Sequence, residues 1–264
     1  MRYGVLSDIH ANLHALEAAV EVFEREGVGR YLFAGDLVGY GPFPNECVEM
    51  VAELGAVSVA GNHDLIALGR LSDSGYDALA RTTLAWTRDV LSEDARRYLS
   101  ALPLRTAVQD IALAHGSLGN PEEYITRPDQ AAAQLSQLEA EEPAARILVL
   151  GHTHRARAFD RAARRLDTGE SVALSPSGGY VLTPGSVGQS RERLARARFV
   201  VLDTEARRAT FYAVPYDVDG CRQALARQGL PVEACHQPPP SLASRALRRV
   251  SAFLTPQLLY TGER

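Results

Sequence analysis

The sequence predicts an α/β fold, with helices packed between the strands of a mostly parallel sheet. Three observations carry that prediction. Short apolar runs recur along the chain and break off in polar, glycine-rich clusters. Segments with apolar residues at helical spacing separate the early runs. The composition is that of an ordinary globular chain, with 264 residues of which 46% are hydrophobic and 23% charged, enough to bury a full core.

The runs lie at residues 3–10 (YGVLSDIH), 31–36 (YLFAGD), 56–64 (AVSVAGNHD), 111–117 (IALAHGS), 147–154 (ILVLGHTH) and 180–186 (YVLTPGS). Each has a short apolar stretch, the signature of a strand buried on both faces. Leu13, Leu16, Val20 and Phe23 follow the first run at helical spacing, and Val48, Val51 and Leu54 follow the second. Strand alternating with helix implies right-handed crossovers between parallel strands. Residues 65–103 read as a helical insertion, with Leu79, Trp86, Val90 and Leu99 among its apolar positions and Trp86 as core. Residues 198–203 and 209–214 read as a late hairpin closing a second sheet. Past Pro231 the chain changes character: QPPPS at 237–241 breaks regular structure, and residues 242–254 form a short helix carrying Arg245, Arg248 and Arg249. The expected organisation is one domain over 1–230, including the insertion, and a C-terminal extension over 231–264.

Composition excludes several classes of function. A net charge of -4 and a pI near 6.0 give no broad attraction to nucleic acid or anionic membrane. All 28 basic residues are arginine, which rules out a lysine nucleophile or Schiff base. Cys47, Cys221 and Cys235 are odd in number and far apart, so a reducing, cytoplasmic setting is expected rather than a disulfide framework. The first apolar stretch is too short for a signal peptide, and no stretch suggests a membrane span. No basic or aromatic platform suited to a nucleic-acid strand stands out.

The chemistry is concentrated at strand ends. Asp8, Asp36, Asn62, His115 and His152 each fall just past the C-terminal end of a predicted strand, the edge where open α/β sheets bind ligands. Taken singly, each could be a turn or helix cap. Taken as an ordered set, they are metal-competent groups converging on one place. Asp brings hard oxygen and can bridge two cations, His brings neutral nitrogen, and Asn brings a carbonyl oxygen. A mixed N/O set without thiolate suits manganese, iron, cobalt or zinc better than copper(I) or an iron–sulfur cluster.

The motifs SDIH, GDLVG, GNHD, the isolated His115 and GHTH occur in order between Ser7 and His154. That order resembles the calcineurin-like metallophosphoesterases, and a looser likeness extends through LTPGSVGQ at 182–189. GDLVGYGPFPNE, WTR at 86–88 and VPYD at 214–217 resemble a bacterial and archaeal branch of predicted phosphoesterases. The resemblance implies a four-layer α-β-β-α sandwich, two mixed sheets flanked by helices. It implies two divalent ions, with manganese favoured and iron, zinc, cobalt or nickel as alternatives. Asp8, His10 and His154 would hold one ion and Asn62, His115 and His152 the other, with Asp36 bridging. His63 would face the substrate, as general acid to the leaving oxygen or as charge partner of the phosphoryl group, with Asp64 orienting it.

The implied reaction is hydrolysis of a phosphoric ester by metal-bound hydroxide. The substrate would be a small or nucleotide-like ester, and no nucleic-acid or membrane partner is expected; homo-oligomerisation is left open. The alternatives are a phosphoprotein phosphatase, a dinucleoside polyphosphate hydrolase, or a non-catalytic metal-binding scaffold, against which the retention of His63 argues. Three residues are open between substrate contact and a plainer role: Asn12 (phosphate or helix cap), Tyr40 (cleft wall or turn) and Arg155 (distal phosphate or solvated surface). Gly185, Ser186 and Gly188 read as the site edge, and His14 and His236 as bystanders. Two departures stand out, Ala11 where the family often has glycine and Asp77 where this branch is expected to have asparagine. If the Ala11 turn needs positive φ, alanine there costs roughly 1 kcal/mol.

Overall fold

The structure, a computed structural model, describes residues 1–169 and 171–239. In its N-terminal half, strands β1 (Arg2–Leu6), β2 (Arg30–Phe33) and β3 (Val57–Ser58) alternate with helices α1 (Leu13–Arg25) and α2 (Pro44–Glu53). The insertion follows as α3 (Asn62–Ala67), α4 (Ala78–Val90) and α5 (Glu93–Ala101). Next come β4 (Arg105–Val108), β5 (Ile111–Ala114), α6 (Pro128–Glu141) and β6 (Ile147–Val149). Four short strands follow: β7 (Arg157–Asp160), β8 (Arg165–Leu166), β9 (Ser171–Ala173) and β10 (Tyr180–Thr183). The hairpin β11 (Ala197–Asp203) and β12 (Arg208–Val214), α7 (Val218–Arg227) and a 3-10 turn (Val232–Cys235) complete the described chain.

The strands form two six-stranded sheets, ordered β3-β2-β1-β11-β12-β9 and β4-β5-β6-β10-β7-β8. Each is mixed. The first has parallel β3-β2-β1 continued by antiparallel β11, β12 and β9, and the second has parallel β5-β6-β10 flanked by antiparallel strands on both sides. The mostly parallel sheet expected from strand–helix alternation is therefore corrected to two half-parallel sheets. The late hairpin is also corrected: it joins the first sheet, with Val200 of β11 paired antiparallel to Val5 of β1. Its apolar runs announced a buried hairpin but carried no information about which edge it would pair with.

Alternation along the strands sorts side chains into layers. Val5, Leu32 and Val200 of the first sheet meet Leu113, Val149 and Leu182 of the second in the central layer. On the outer face of the first sheet, Leu6, Phe33 and Phe199 pack against Leu16 and Phe23 of α1 and Val48 of α2. On the outer face of the second, Leu148, Phe159 and Val181 pack against Leu135 and Leu138 of α6. Full burial of such side chains stabilises by roughly 1.5–3 kcal/mol each. The result is the four-layer α-β-β-α sandwich.

Residues 231–237 stay packed on the body. Ala234 and Cys235 bury against Cys221 and Leu225 of α7 and against Tyr40 and Ala80, and the Gln237 N–H donates to the Ser190 carbonyl. All three cysteines are free and buried. Trp86 packs, partly buried, against this same cluster. The helix expected over 242–254 lies outside the described residues. No described helix is long and apolar enough to cross a membrane.

Candidate metal centre

Five strand ends deliver the expected ligands. Asp8 and His10 follow β1, Asp36 follows β2, Asn62 opens α3 beyond β3, His115 follows β5, and His152 and His154 follow β6. Each of the seven is almost wholly buried. Five of them, Asp8, His10, Asp36, His152 and His154, have φ between 49° and 63°, the left-handed region that non-glycine residues rarely occupy. Interlocking loops impose it: Asp8 N–H donates to the Gly35 carbonyl at 2.9 Å and His10 N–H to the Asp36 carbonyl at 3.0 Å. Two glycines make the close approach feasible, since a Cβ on Gly61 would overlap Asp36 Oδ1 and one on Gly151 would overlap Ser7 Oγ.

The hydrogen bonds fix where the lone pairs point. His10 Nδ1 donates to the Val38 carbonyl at 3.1 Å, His154 Nδ1 to that of Gln189 at 2.7 Å, and His115 Nδ1 to that of Ala34 at 2.7 Å. Each bond leaves the ring's Nε2 as a bare acceptor, the second-sphere pattern of metal-ligating histidines. His10 Nε2 and His154 Nε2 face one another at 3.0 Å. Asp8 Oδ1 lies 3.3 Å from the latter, and Asp36 Oδ2 lies 3.6 Å from the former. Four acceptors thus converge on one point and call for a cation.

Asp36 Oδ2 belongs also to a second cluster with His115 and His152, lying 3.2 Å from His115 Nε2. Asp36 Oδ2, Asn62 Oδ1 and His115 Nε2 are all buried without a hydrogen-bond partner, an arrangement that is costly unless something else satisfies them. His152 Nε2 donates to the Glu122 carbonyl at 3.0 Å, which leaves its Nδ1 free. The residues present therefore fit two metal ions sharing Asp36.

The electrostatics of three of the imidazoles agree with that fit, while His115 and Asp8 hold protons that a cation would displace. Burial holds the His10 and His154 imidazoles well below their ordinary range and brings His152 down to about 3, so all three are neutral, as ligation requires. Burial pushes Asp36 upward, but the imidazoles of His115 and His63 outweigh it and the carboxyl ends well below its usual value. His115 shows the counterpart: burial lowers it, Asp36 more than compensates, and it is raised to about 9. Burial raises Asp8 to about 7.

Around the clusters lies a cleft of about 430 Å³. His63 and Tyr40 line it, with their rings 4.8 Å apart. His63 Nδ1 is buried and unpartnered, and burial lowers its pKa. Asp64 does not orient it. The Asp64 carboxylate instead accepts from the backbone N–H groups of Asp36, Leu37, Val38 and Gly61, at 2.9 to 3.1 Å. It clamps the GDLV turn, and its oxygens are fully spent there.

Asn12 is also resolved as structural. Its Oδ1 caps α1 at Ala15 N–H and its amide donates to the Gly188 carbonyl at 2.7 Å. Arg155 is exposed and does not line the cleft, where Arg191 stands instead. The PGSVG segment is a site edge as expected: Ser186 Oγ and Gly188 N–H both donate to the Asp8 carbonyl. His14 stacks edge-on against Phe43, and His236 bonds the Glu192 carbonyl.

Other cleft residues carry no sequence signal. Tyr76 in the insertion accepts from the Asn62 amide at 2.9 Å and donates to Glu122 Oε1 at 2.6 Å. This chain turns Asn62 Oδ1 away from hydrogen-bonding partners. Tyr124 lies against His152, ring centroids 3.9 Å apart. Asp77, the departure noted in the sequence, caps α4 and lines the cleft as well.

Fold and site together place the chain among α/β sandwiches built to hold metal ions at their strand ends. Residues 1–207 match the calcineurin-like phosphoesterase superfamily domain, and the chain belongs to that superfamily. It is similar to the crystal structure of a metallophosphoesterase from Sphaerobacter thermophilus, at 35% identity and a TM-score of 0.77 over 92% of this chain and 99% of that one. It shares its fold with a hypothetical protein from Pyrococcus horikoshii, at 23% identity and a TM-score of 0.71 over 89% and 96% of the two chains. An uncharacterised protein of Methanocaldococcus jannaschii is 29% identical over 234 residues, 86% of this chain and 93% of the relative.

Proposed function

We propose that the protein is a dinuclear-metal-dependent hydrolase of phosphoric esters, a phosphodiesterase or phosphatase acting on small or nucleotide-like substrates. The observation that carries this reading is the facing pair of bare nitrogens, His10 Nε2 and His154 Nε2 at 3.0 Å. Their Nδ1 protons are committed to carbonyls, so a proton between them would require one ring to be an imidazolium, which burial disfavours in both. Asp8, His10 and His154 would hold one divalent ion and Asn62, His115 and His152 the other, with Asp36 between, and manganese is the favoured metal. When bound, such a pair supplies Lewis acidity for phosphoryl oxygens and acidifies water.

The chain's own residues supply position and proton control. Asp36 is fixed by the His63 N–H donating to its Oδ1 at 2.8 Å, which aims Oδ2 at both clusters. His63 stands in the cleft beside them. Its burial disfavours the imidazolium, which supports hydrogen-bond donation to the leaving oxygen over the role of a standing charge. The presence of His63 in the cleft weighs against a purely scaffolding protein.

The test is turnover of an aryl phosphodiester and an aryl phosphomonoester by the purified protein with manganese, repeated in chelator. Turnover that chelation abolishes is expected. No turnover of either ester across manganese, iron, zinc, cobalt and nickel would overturn the reading.

A further inference from the structure

Arg191 is the only arginine among the described residues lining the cleft. It follows the PGSVGQ segment that orients the first cluster, and it is held by that segment. Its Nε donates to Gln189 Oε1 at 3.3 Å, while the Gln189 carbonyl accepts from His154 Nδ1. Arg191 is thus indexed to the first cluster through one buried residue. Burial works against its charge, but Tyr124, Tyr40 and Asp8 more than offset that, and the guanidinium is held above its ordinary value.

Besides Asp36, which the two clusters share, two carboxylates line the same cleft. Glu122 belongs to the second-cluster side, through Tyr76 and Asn62. Asp77 is exposed at the start of α4, with Oδ1 engaged by the Ala80 N–H. Neither makes an ion pair among the described residues, so their charge acts on whatever enters. A phosphodiester carries a single negative charge, a phosphomonoester up to two, and a polyphosphate chain more. One guanidinium suits two oxygens of a singly charged phosphoryl group, whereas each further charge would be set against the two carboxylates.

We propose that Arg191 grips the phosphoryl oxygens of a singly charged phosphodiester, and that Asp77 and Glu122 disfavour substrates carrying further phosphate charge. This names the substrate class of the site and rests on the hydrolase reading. Its test is one of binding, so the two can fail separately.

Two non-hydrolysable ligands of similar shape serve as probes, methylphenylphosphinate with one charge and phenylphosphonate with two in mildly alkaline buffer. Affinities are measured calorimetrically on the full, manganese-loaded chain, with metal content checked for each variant. Arg191→Gln is expected to weaken phosphinate binding by about tenfold or more, as befits a charge-assisted hydrogen bond. Arg191→Lys, which keeps the charge and loses the fork, should fall between. Asp77→Asn retains the helix cap and should raise phosphonate affinity relative to phosphinate by about threefold, the size of one partly solvated charge a few ångströms away.

The proposal is overturned if wild-type protein binds no phosphinate, if both Arg191 variants bind it as wild type does, or if the ratio in Asp77→Asn does not move. Arg191-dependent phosphinate binding without turnover of any ester would sink the hydrolase reading and leave the clamp standing. Diester turnover with Arg191-independent binding would do the reverse.

Discussion

At the scale of single residues, neighbours in sequence do different work. His63 and Asp64 are adjacent in GNHD, yet one faces the cleft and the other holds a turn from beneath. His63→Ala should retain both metals and lose at least about 100-fold in kcat, the size of one positioned hydrogen-bond donor to developing charge. Elemental analysis beside steady-state kinetics checks this, and loss of metal from the variant would show that His63 serves the centre rather than the substrate. Asp64 was misread from sequence because a carboxylate next to a histidine suggests a pair. The four N–H groups that claim it come from GDLV, a motif distant in sequence, and from Gly61. Arg191 was illegible for a different reason. Among 28 arginines nothing local distinguishes the one that folds into the cleft from Arg155, which lies on the surface.

At the scale of elements, the loops after the strands are where conformational cost is concentrated. Ala11 has φ of 52°, so its turn does take the left-handed form. Ala11→Gly should stabilise the protein by about 1 kcal/mol: relief of roughly 1–2 kcal/mol of strain against roughly 0.5–1 kcal/mol from the greater freedom of glycine in the unfolded chain. A urea titration with unchanged slope checks it. The insertion has a similarly local role. Tyr76→Phe removes only the hydroxyl linking Asn62 to Glu122, and should weaken the second metal's binding by about 10–100-fold while sparing the first. Sequential metal titration by calorimetry separates the two.

The elements that build the parallel halves were legible because β1, β2, β5, β6 and β10 are apolar runs ending in motifs. The short strands β4, β7, β8 and β9 were not, since sequences such as RTAV and RL have too little periodicity to be told from loop. The hairpin β11–β12 was legible as a hairpin and misplaced as to sheet, because strand pairing is settled by packing rather than by the strand's own residues.

At the scale of the whole molecule, each cluster draws on both sheets. Asp8 and His10 come from the first sheet and His154 from the second, while Asn62 stands against His115 and His152 in the same way. Ions bound by both clusters would therefore tie the layers together across the top of the central core. Removing metal with chelator should lower thermal stability by the linkage free energy, about 2.7 kcal/mol for a metal present at 100 times its Kd. Melting curves at graded free manganese check this, and a midpoint independent of metal would contradict the centre altogether.

The same two-sheet origin of the ligands dictates when in folding the ions can act. Neither cluster exists until the sheets have docked face to face, which is late for ligands so far apart along the chain. A cation that recognises only the docked form cannot speed the search for it, but it must be released before the layers can part. Metal should therefore slow unfolding and leave the refolding rate nearly unchanged, which makes the centre a kinetic lock on a body that assembles without it.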